Sequence, residues 1–445
     1  MTTYYCDLSQ DFANPANVGD TTGNPALGPG GFQAMIDGWG NHDALVAGDF
    51  LHIIKTAKLA KFVKTTVDVD KTGTWVIGDA VQNHNDGGGI SGDDWVGVLV
   101  YIDATTVWVQ INDASTDFDS VDTADGIDNT TQVETIPGAN MTAAVIPGIT
   151  VDNNQGSAGT LITLLGVNDS WTEDGTQFVL DAEGTATNAT NCLVGADKDY
   201  FVVKNAEFKN AAEDNLTGIT NYCYYWFFIN CDTHHAGGNG SGNSGTKAFY
   251  NTVWFLCRAY NNAEHGFFGT FDNYVCCTAH TNGSSGNKYG FRNYSSGAFI
   301  HCLAYNNDYM NYWLQLRSVM VNCVSDNGDT YGVVCPDTGL IIGCRITGTN
   351  IGIRGDGVAT SSIHEYFNFN NCTTPNDNIT VDQKIKGTDT RIETGLEGYE
   401  DAASDLYNLK LGAAGYRTEV DMGGGNYARF ARGIPTSILP IIGEK

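Results

Sequence analysis

Phe228-Ile229-Asn230-Cys231, Trp254-Phe255-Leu256-Cys257, Tyr274-Val275-Cys276-Cys277, Phe299-Ile300-His301-Cys302, Met320-Val321-Asn322-Cys323, Ile341-Ile342-Gly343-Cys344 and Phe369-Asn370-Asn371-Cys372 are one pattern met seven times. Each is a short, mostly apolar run closed by cysteine. The cysteines follow one another at 26, 20, 25, 21, 21 and 28 residues. Self-similarity at such a period, with loops of variable length, marks a solenoid whose repeats each bury a face on the next.

The neighbours repeat as well. Behind four cysteines comes a small residue and then asparagine: Ala259-Tyr260-Asn261-Asn262, Ala279-His280-Thr281-Asn282, Ala304-Tyr305-Asn306-Asn307 and Ser325-Asp326-Asn327. A second short strand follows: Gly266-Phe267-Phe268, Gly290-Phe291-Arg292, Tyr312-Trp313-Leu314, Gly332-Val333-Val334 and Gly352-Ile353-Arg354. The apolar run before the next cysteine is a third. Three such strands and three turns fill a coil of about 22 residues. Strands this short make no globular sheet, but stacked coils join them into three long parallel sheets about 4.8 Å per rung. The fold expected is all-β, a right-handed parallel β-helix. Stacking predicts an interior column of reduced cysteines and a column of asparagine amides at a turn. No C-x-x-C pair exists, which argues against zinc, and no metal or cofactor is expected.

Composition agrees. Glycine is 54 of 445 residues and proline only 9. Many glycines and asparagines mean many turns with positive φ. The formal net charge is −28. Nucleic-acid phosphates and anionic membranes would be repelled, so neither is an expected partner. The first residues, Met1-Thr2-Thr3-Tyr4-Tyr5-Cys6-Asp7, lack a basic stretch followed by an apolar one, so no signal peptide is read. No run of 18 apolar residues is present. Synthesis in a host cytoplasm is the expectation.

Along the chain, residues 1–61 read as an N-terminal cap and first coil. Gly31-Phe32-Gln33-Ala34-Met35-Ile36-Asp37 is a short amphipathic helix, and Leu45 to Ile53 is a turn feeding a strand. Residues 62–136 switch to alternation: Trp75-Val76-Ile77-Gly78-Asp79, Val96-Gly97-Val98-Leu99-Val100 and Thr106-Val107-Trp108-Val109. Period-two strands joined by Gly/Asp turns predict an inserted small antiparallel β-module. The solenoid resumes over 137–398, with long loops at Asp232 to Thr246 and Asn282 to Asn287. Residues 399–445, with Ser404-Asp405-Leu406-Tyr407-Asn408-Leu409, read as a C-terminal cap or tail.

The helix followed by Ala47-Gly48-Asp49-Phe50-Leu51-His52-Ile53 resembles the N-terminal cap of pectate-lyase-like β-helix proteins. The inserted module resembles small β-modules of tailed-phage virion proteins. The resemblance implies a virion protein: a surface-exposed capsid decoration (cement) protein or a fibre or spike subunit. It further implies a homotrimer that contacts other virion proteins and host-surface polysaccharide. The alternative is a tailspike depolymerase, a polysaccharide lyase or glycoside hydrolase, with carboxylates on stacked coils.

Six or seven residues past Cys257, Cys302 and Cys323 lie Glu264, Asp308 and Asp329, with Glu264 two coils from Asp308. On adjacent coils Asp308 and Asp329 would sit about 5 Å apart, the separation of a retaining hydrolase. The same acids also suit exposed turns, where they cap backbone amides. Ser284 interrupts this column. Asp232, His234 and His235 offer metal-binding groups, although adjacent side chains on an extended segment point opposite ways. Glu264-His265 is a similar pair. Arg258 and Arg345 follow cysteines but are several coils apart. Tyr222, Tyr224, Tyr225, Trp226 and Tyr260 crowd near turns. Tyr305, Tyr309 and Trp313 are the candidates for stacking on sugar rings.

Overall fold

The computed structural model describes residues 1–9, 18–39, 42, 44–59, 62–83, 95–114, 126–137, 141–146, 148–182, 191–217, 223–237, 244–247, 249–283, 288–315, 318–335, 340–342, 344–355, 361–365, 368–370, 372–377, 380–381, 391–393, 399–401, 406–409, 418–421 and 427–430. Tyr222, Ser284, Ser404 and Asp405 lie outside them. Parallel pairing of short strands, coil on coil, makes the chain a right-handed parallel β-helix. It divides into two compact units, Met1–Tyr250 and Asn251–Lys445.

In the first unit Thr3–Asp7 pairs in parallel with Phe50–Ile54 along its whole length. Phe50–Ile54 in turn pairs with Ile162–Gly166, which pairs with Phe201–Lys209. Phe227–His234 adds to Phe201–Lys209. A second wall stacks Ile149–Val151, Leu193–Gly195, Leu216–Thr217 and Thr246–Lys247. The cap helix runs Gly28–Asp37, three residues longer than the sequence suggested. It has Pro29 in its first turn and left-handed Gly38 at its end, whose N–H reaches Ala34 O at 2.8 Å. Gln33 fixes it to the wall, donating to Thr150 O at 2.8 Å and accepting from Thr150 N–H at 2.9 Å.

The inserted module is a seven-stranded antiparallel sheet in the order Glu134–Ile136, Ile127–Asn129, Ala80–Asn83, Trp95–Ile102, Thr106–Ala114, Phe62–Val67 and Met141–Ile146. The last strand falls past residue 136, where the sequence placed the solenoid. It pairs antiparallel with Phe62–Val67, so the entering and leaving strands close the module side by side. Alternation supplies its core, which includes Val63, Trp75, Val81, Trp95, Leu99 and Val109.

The second unit is the regular part. Its first wall stacks Val253–Phe255, Asn273–Val275, Ala298–Ile300, Val319–Val321 and Leu340–Ile342, rung opposite rung. Its second stacks Arg258–Tyr260, Thr278–His280, Leu303–Tyr305, Val324–Asp326 and Arg345–Thr347. Its third stacks Phe267–Thr270, Tyr289–Asn293, Met310–Leu314, Tyr331–Val334 and Ile351–Arg354. The corner between the first two walls is one left-handed residue per coil: Leu256, Cys276, His301 and Asn322, with φ from 50° to 56°. The next corner repeats it with Asn261, Thr281, Asn306 and Asn327. Asparagine suits this conformation better than leucine or cysteine does. Toward the C-terminus Tyr399–Asp401 pairs antiparallel with Leu406–Leu409, and Thr418–Asp421 with Tyr427–Phe430.

Both predicted columns are present in this unit. Cys257, Cys277, Cys302, Cys323 and Cys344 are equivalent interior positions, each just before a paired residue of the second wall. Their thiols donate to carbonyls of the coil before: Cys277 to Trp254 O, Cys302 to Tyr274 O and Cys323 to Phe299 O, all at 3.3 Å. The amide column is Asn262, Asn282 and Asn307, each Nδ2 reaching the next Oδ1 at 3.0 Å. At the following coil Gly328 stands in place of asparagine, and Asn311 ends the ladder by accepting from Asn307 at 2.7 Å. A Cβ at Gly328 would stand 3.0 Å from Asn311 Nδ2, so a side chain there would crowd that amide.

The seventh copy of the pattern is a false one. Asn368–Asn370 pairs with Arg345–Thr347, which puts Cys372 beyond the second wall rather than before it. Cys372 touches Thr349 Oγ1 at 3.5 Å and donates to Ile346 O at 3.7 Å. It therefore fills the amide column's place: Asn282 bonds Ala259 O and Asn307 bonds Ala279 O in the same way.

Candidate functional site

On the third wall of the second unit, alternation sends Phe267, Phe291, Tyr312, Val333 and Ile353 inward. Phe267, Phe291 and Tyr312 stack face to face at 5.0 and 5.1 Å. The residues after them, Phe268, Arg292, Trp313, Val334 and Arg354, form the outer column in strict register. Beside it Tyr289, Met310, Tyr331 and Ile351 form another. Between the two columns lies a groove of about 180 Å³ walled by Tyr289, Tyr309, Met310, Trp313, Tyr331, Val334 and Arg354.

Arg292 anchors one end. Its guanidinium lies 4.4 to 5.1 Å from the ring centres of Phe268, Tyr289, Tyr294 and Trp313. Its Nη1 donates to His265 Nε2 at 3.0 Å, and its Nη2 donates to the Tyr294 hydroxyl. Cation–π contacts of this kind are worth about 0.5–2 kcal/mol each, so four of them fix the guanidinium. At the far end Arg354 lies 5.0 Å over Tyr331 and donates to its hydroxyl. Arg292 Nε and Trp313 Nε1 are buried and have no hydrogen-bond partner among the described residues. Burial pushes the Tyr289 phenol up to about 12, so this ring stays neutral at ordinary pH.

Glu264 and His265 precede the strand Phe267–Thr270 of this wall. Glu264 is ion-paired with Lys288, and His265 Nε2 is 3.9 Å from Glu264 Oε2. Backbone bonds fix the register here: Gly266 N–H reaches Tyr289 O, and Met310 N–H reaches Lys288 O. Glu264 thus shares its column with Lys288 and Tyr309, not with Asp308 and Asp329. The latter two do occupy equivalent places on adjacent coils. Asp308 N–H bonds Asn282 O at 2.9 Å and Asp329 N–H bonds Asn307 O at 3.3 Å. Asp308 is half-buried and Asp329 exposed.

The predicted aromatic set divides. Tyr309 and Trp313 wall the groove. Tyr305 belongs to the second wall, stacked on His280 at 4.7 Å and 7°, which stacks on Tyr260 at 5.1 Å and 1°. A ring packed face to face with its neighbour has no face on that side for a sugar.

In the first unit His234 and His235 do meet, with their Nδ1 atoms 2.6 Å apart. His235 is left-handed at φ 55°, which breaks the extended geometry that would have separated them. His234 Nε2 lies 3.2 Å from Glu207, and Lys209 Nζ lies 3.1 Å from the same oxygen. The His234 bond, and then Lys209, outweigh burial and hold Glu207 at about 2. Among the described residues no three metal-binding side chains converge. Arg258 is exposed and Arg345 buried, with Thr278, Leu303 and Val324 between them in register.

Arg292, Tyr289, Tyr331 and Arg354 escaped the sequence reading. Their signal was the residue two past each coil's glycine, Phe268, Arg292, Val334 and Arg354. The third strand reads Tyr312-Trp313-Leu314 without that glycine, which hid Trp313 as the fifth member.

No family model matches the chain, and no curated protein matches it. Among solved structures, it is similar to XylC, solved in complex with xylose, at 8% identity and a TM-score of 0.39, covering 89% of this chain and 72% of that one. It is also similar to the tailspike protein gp49 of Pseudomonas phage LKA1, at 12% identity and a TM-score of 0.26, covering 73% of this chain and 56% of that one. No helix among the described residues is long and apolar enough to cross a membrane.

Proposed function

We propose that this chain is a tailed-phage virion protein, a capsid decoration protein or a fibre or spike subunit, that holds host-surface glycan in the groove of its third wall. The groove carries the reading. Tyr289, Trp313 and Tyr331 offer apolar faces to sugar C–H surfaces. Trp313, in the groove wall, keeps a buried N–H donor without an acceptor, a deficit that a ligand hydroxyl or water would relieve. The strong acidity and the inserted module support the virion assignment, with other virion proteins and further copies of the chain in a homotrimer as neighbours.

Titration calorimetry of the purified chain against host-surface polysaccharide tests this. Trp313→Ala is expected to weaken binding at least tenfold, about 1.4 kcal/mol, while Tyr305→Ala leaves it unchanged. Equal binding by Trp313→Ala, or binding to no host polymer, overturns the proposal. The adjacent-coil register of Asp308 and Asp329 favours a second reading, a depolymerase. In that case new reducing ends or unsaturated sugars appear with time and vanish in Asp308→Asn.

A further inference from the structure

The thiol column of the second unit is independent of the groove and is suited to a different ligand. Cys257, Cys277, Cys302, Cys323 and Cys344 are each at most 1% exposed and follow one another coil by coil. The rungs follow one directly over the next, since Cys302 N–H reaches Cys323 Sγ at 3.4 Å. All are thiols rather than disulfides.

Equivalent positions on stacked strands are about 4.8 Å apart. A straight sulfur–metal–sulfur bridge spans about 4.6 Å, twice a bond of about 2.3 Å. Soft thiolates select ions such as Cu(I), and such closed-shell monovalent ions accept two ligands in a line. We propose that the gaps between successive rungs of this column each hold one soft monovalent metal ion, Cu(I) or Ag(I).

Charge sets the stoichiometry. One ion replaces one proton: two thiols and M⁺ become thiolate–M–thiol plus H⁺. The product is neutral, as an apolar interior requires. A two-coordinate ion also needs no third donor, consistent with the lack of any three-residue cluster among the described residues. Five rungs leave four gaps.

The test is titration of the reduced full chain with Ag(I) in chloride-free buffer. Proton release is followed by pH-stat and binding by thiolate-to-metal absorbance, with circular dichroism confirming the fold. Two double variants each remove two thiols. Cys277→Ser/Cys323→Ser leaves no adjacent pair and is expected to lose four ions relative to wild type. Cys257→Ser/Cys344→Ser leaves three adjacent rungs and is expected to lose two. Equal losses in the two variants mean binding thiol by thiol and overturn the proposal, as does uptake that begins only when the dichroism collapses. If the inner double variant does not fold, Cys302→Ser against Cys344→Ser makes the same distinction, two ions against one.

Discussion

The two units build the same kind of coil by different means. In the second, polar rungs on successive coils bond to one another: Asn262, Asn282 and Asn307 are amide to amide. In the first, Phe201–Lys209 and Phe227–His234 run through the corner as single strands, with left-handed Asn205 and Asn230 inside them. There Ala206 stands opposite Cys231, one amide pair joins Asn230 to Asn205 at 2.9 Å, and further cohesion comes from individual contacts such as Gln33 on Thr150. The difference teaches that stacking alone makes the tube. Periodic polar columns make its parts depend on their neighbours, because a missing rung leaves two others unsatisfied.

Removing one rung is the sharpest way to break that comparison. Asn282 accepts from Asn262 N–H and Nδ2 and donates to Ala259 O and Asn307 Oδ1. Asn282→Ala is expected to cost about 4 kcal/mol, near 1 kcal/mol per bond. Native-state hydrogen exchange would show faster exchange at Asn262 and Asn307 as well as at the mutated coil. Exchange changed at one coil alone would remove the distinction between the units.

A smaller loss is expected in the first unit. Gln33→Ala removes two buried bonds to Thr150, about 2 kcal/mol, and exchange should quicken at Thr150 without spreading along the wall. Urea unfolding of the two variants side by side gives the ratio.

The last contrast lies in how the two units respond to acid. Glu207 is held at about 2 against an ordinary 4.5, so its stabilisation is complete above that ordinary value and is lost as pH falls toward 2. In the second unit Asp272 goes the other way. Burial raises it well above 3.8 despite bonds from Thr252 N–H at 3.0 Å and Trp254 Nε1 at 3.3 Å. Its favourable contribution is complete below its unfolded value and fades only as pH rises through the folded one. Limited proteolysis from pH 4.5 down to 2 should therefore cut around Glu207 first. Glu207→Gln should flatten that dependence, and an unchanged acid profile in this variant would refute the assignment.

Much of this was legible in the residues, where one position decides its own environment. A cysteine closing an apolar run must be inside, and an asparagine after a small residue must turn. The period of such positions fixed coils, walls and both columns. Phe369-Asn370-Asn371-Cys372 misled because a four-residue motif carries no register. Only pairing with Arg345–Thr347 moved Cys372 into the amide column. Met141–Ile146 misled because an alternating strand reads the same whether its partner is parallel or antiparallel.

The groove was only partly legible for a related reason. Tyr309 and Trp313 stood out as aromatics, but Arg292 and Arg354 are ordinary arginines until four rings and one ring, respectively, close over them. Tyr305 looks like Tyr309 in the chain, yet a corner at left-handed Asn306 puts the two on different walls. Glu264 lost its place beside Asp308 because it stands two residues past Asn262 in the amide ladder, whereas Asp308 stands one past Asn307.

The sequence by itself determined that this chain coils, how often, and which side chains face inward, because periodicity and burial are properties of single positions. Tertiary structure alone decided which outward residues share a surface. That depends on loop lengths between coils, and a slip of one residue moves a side chain to another column.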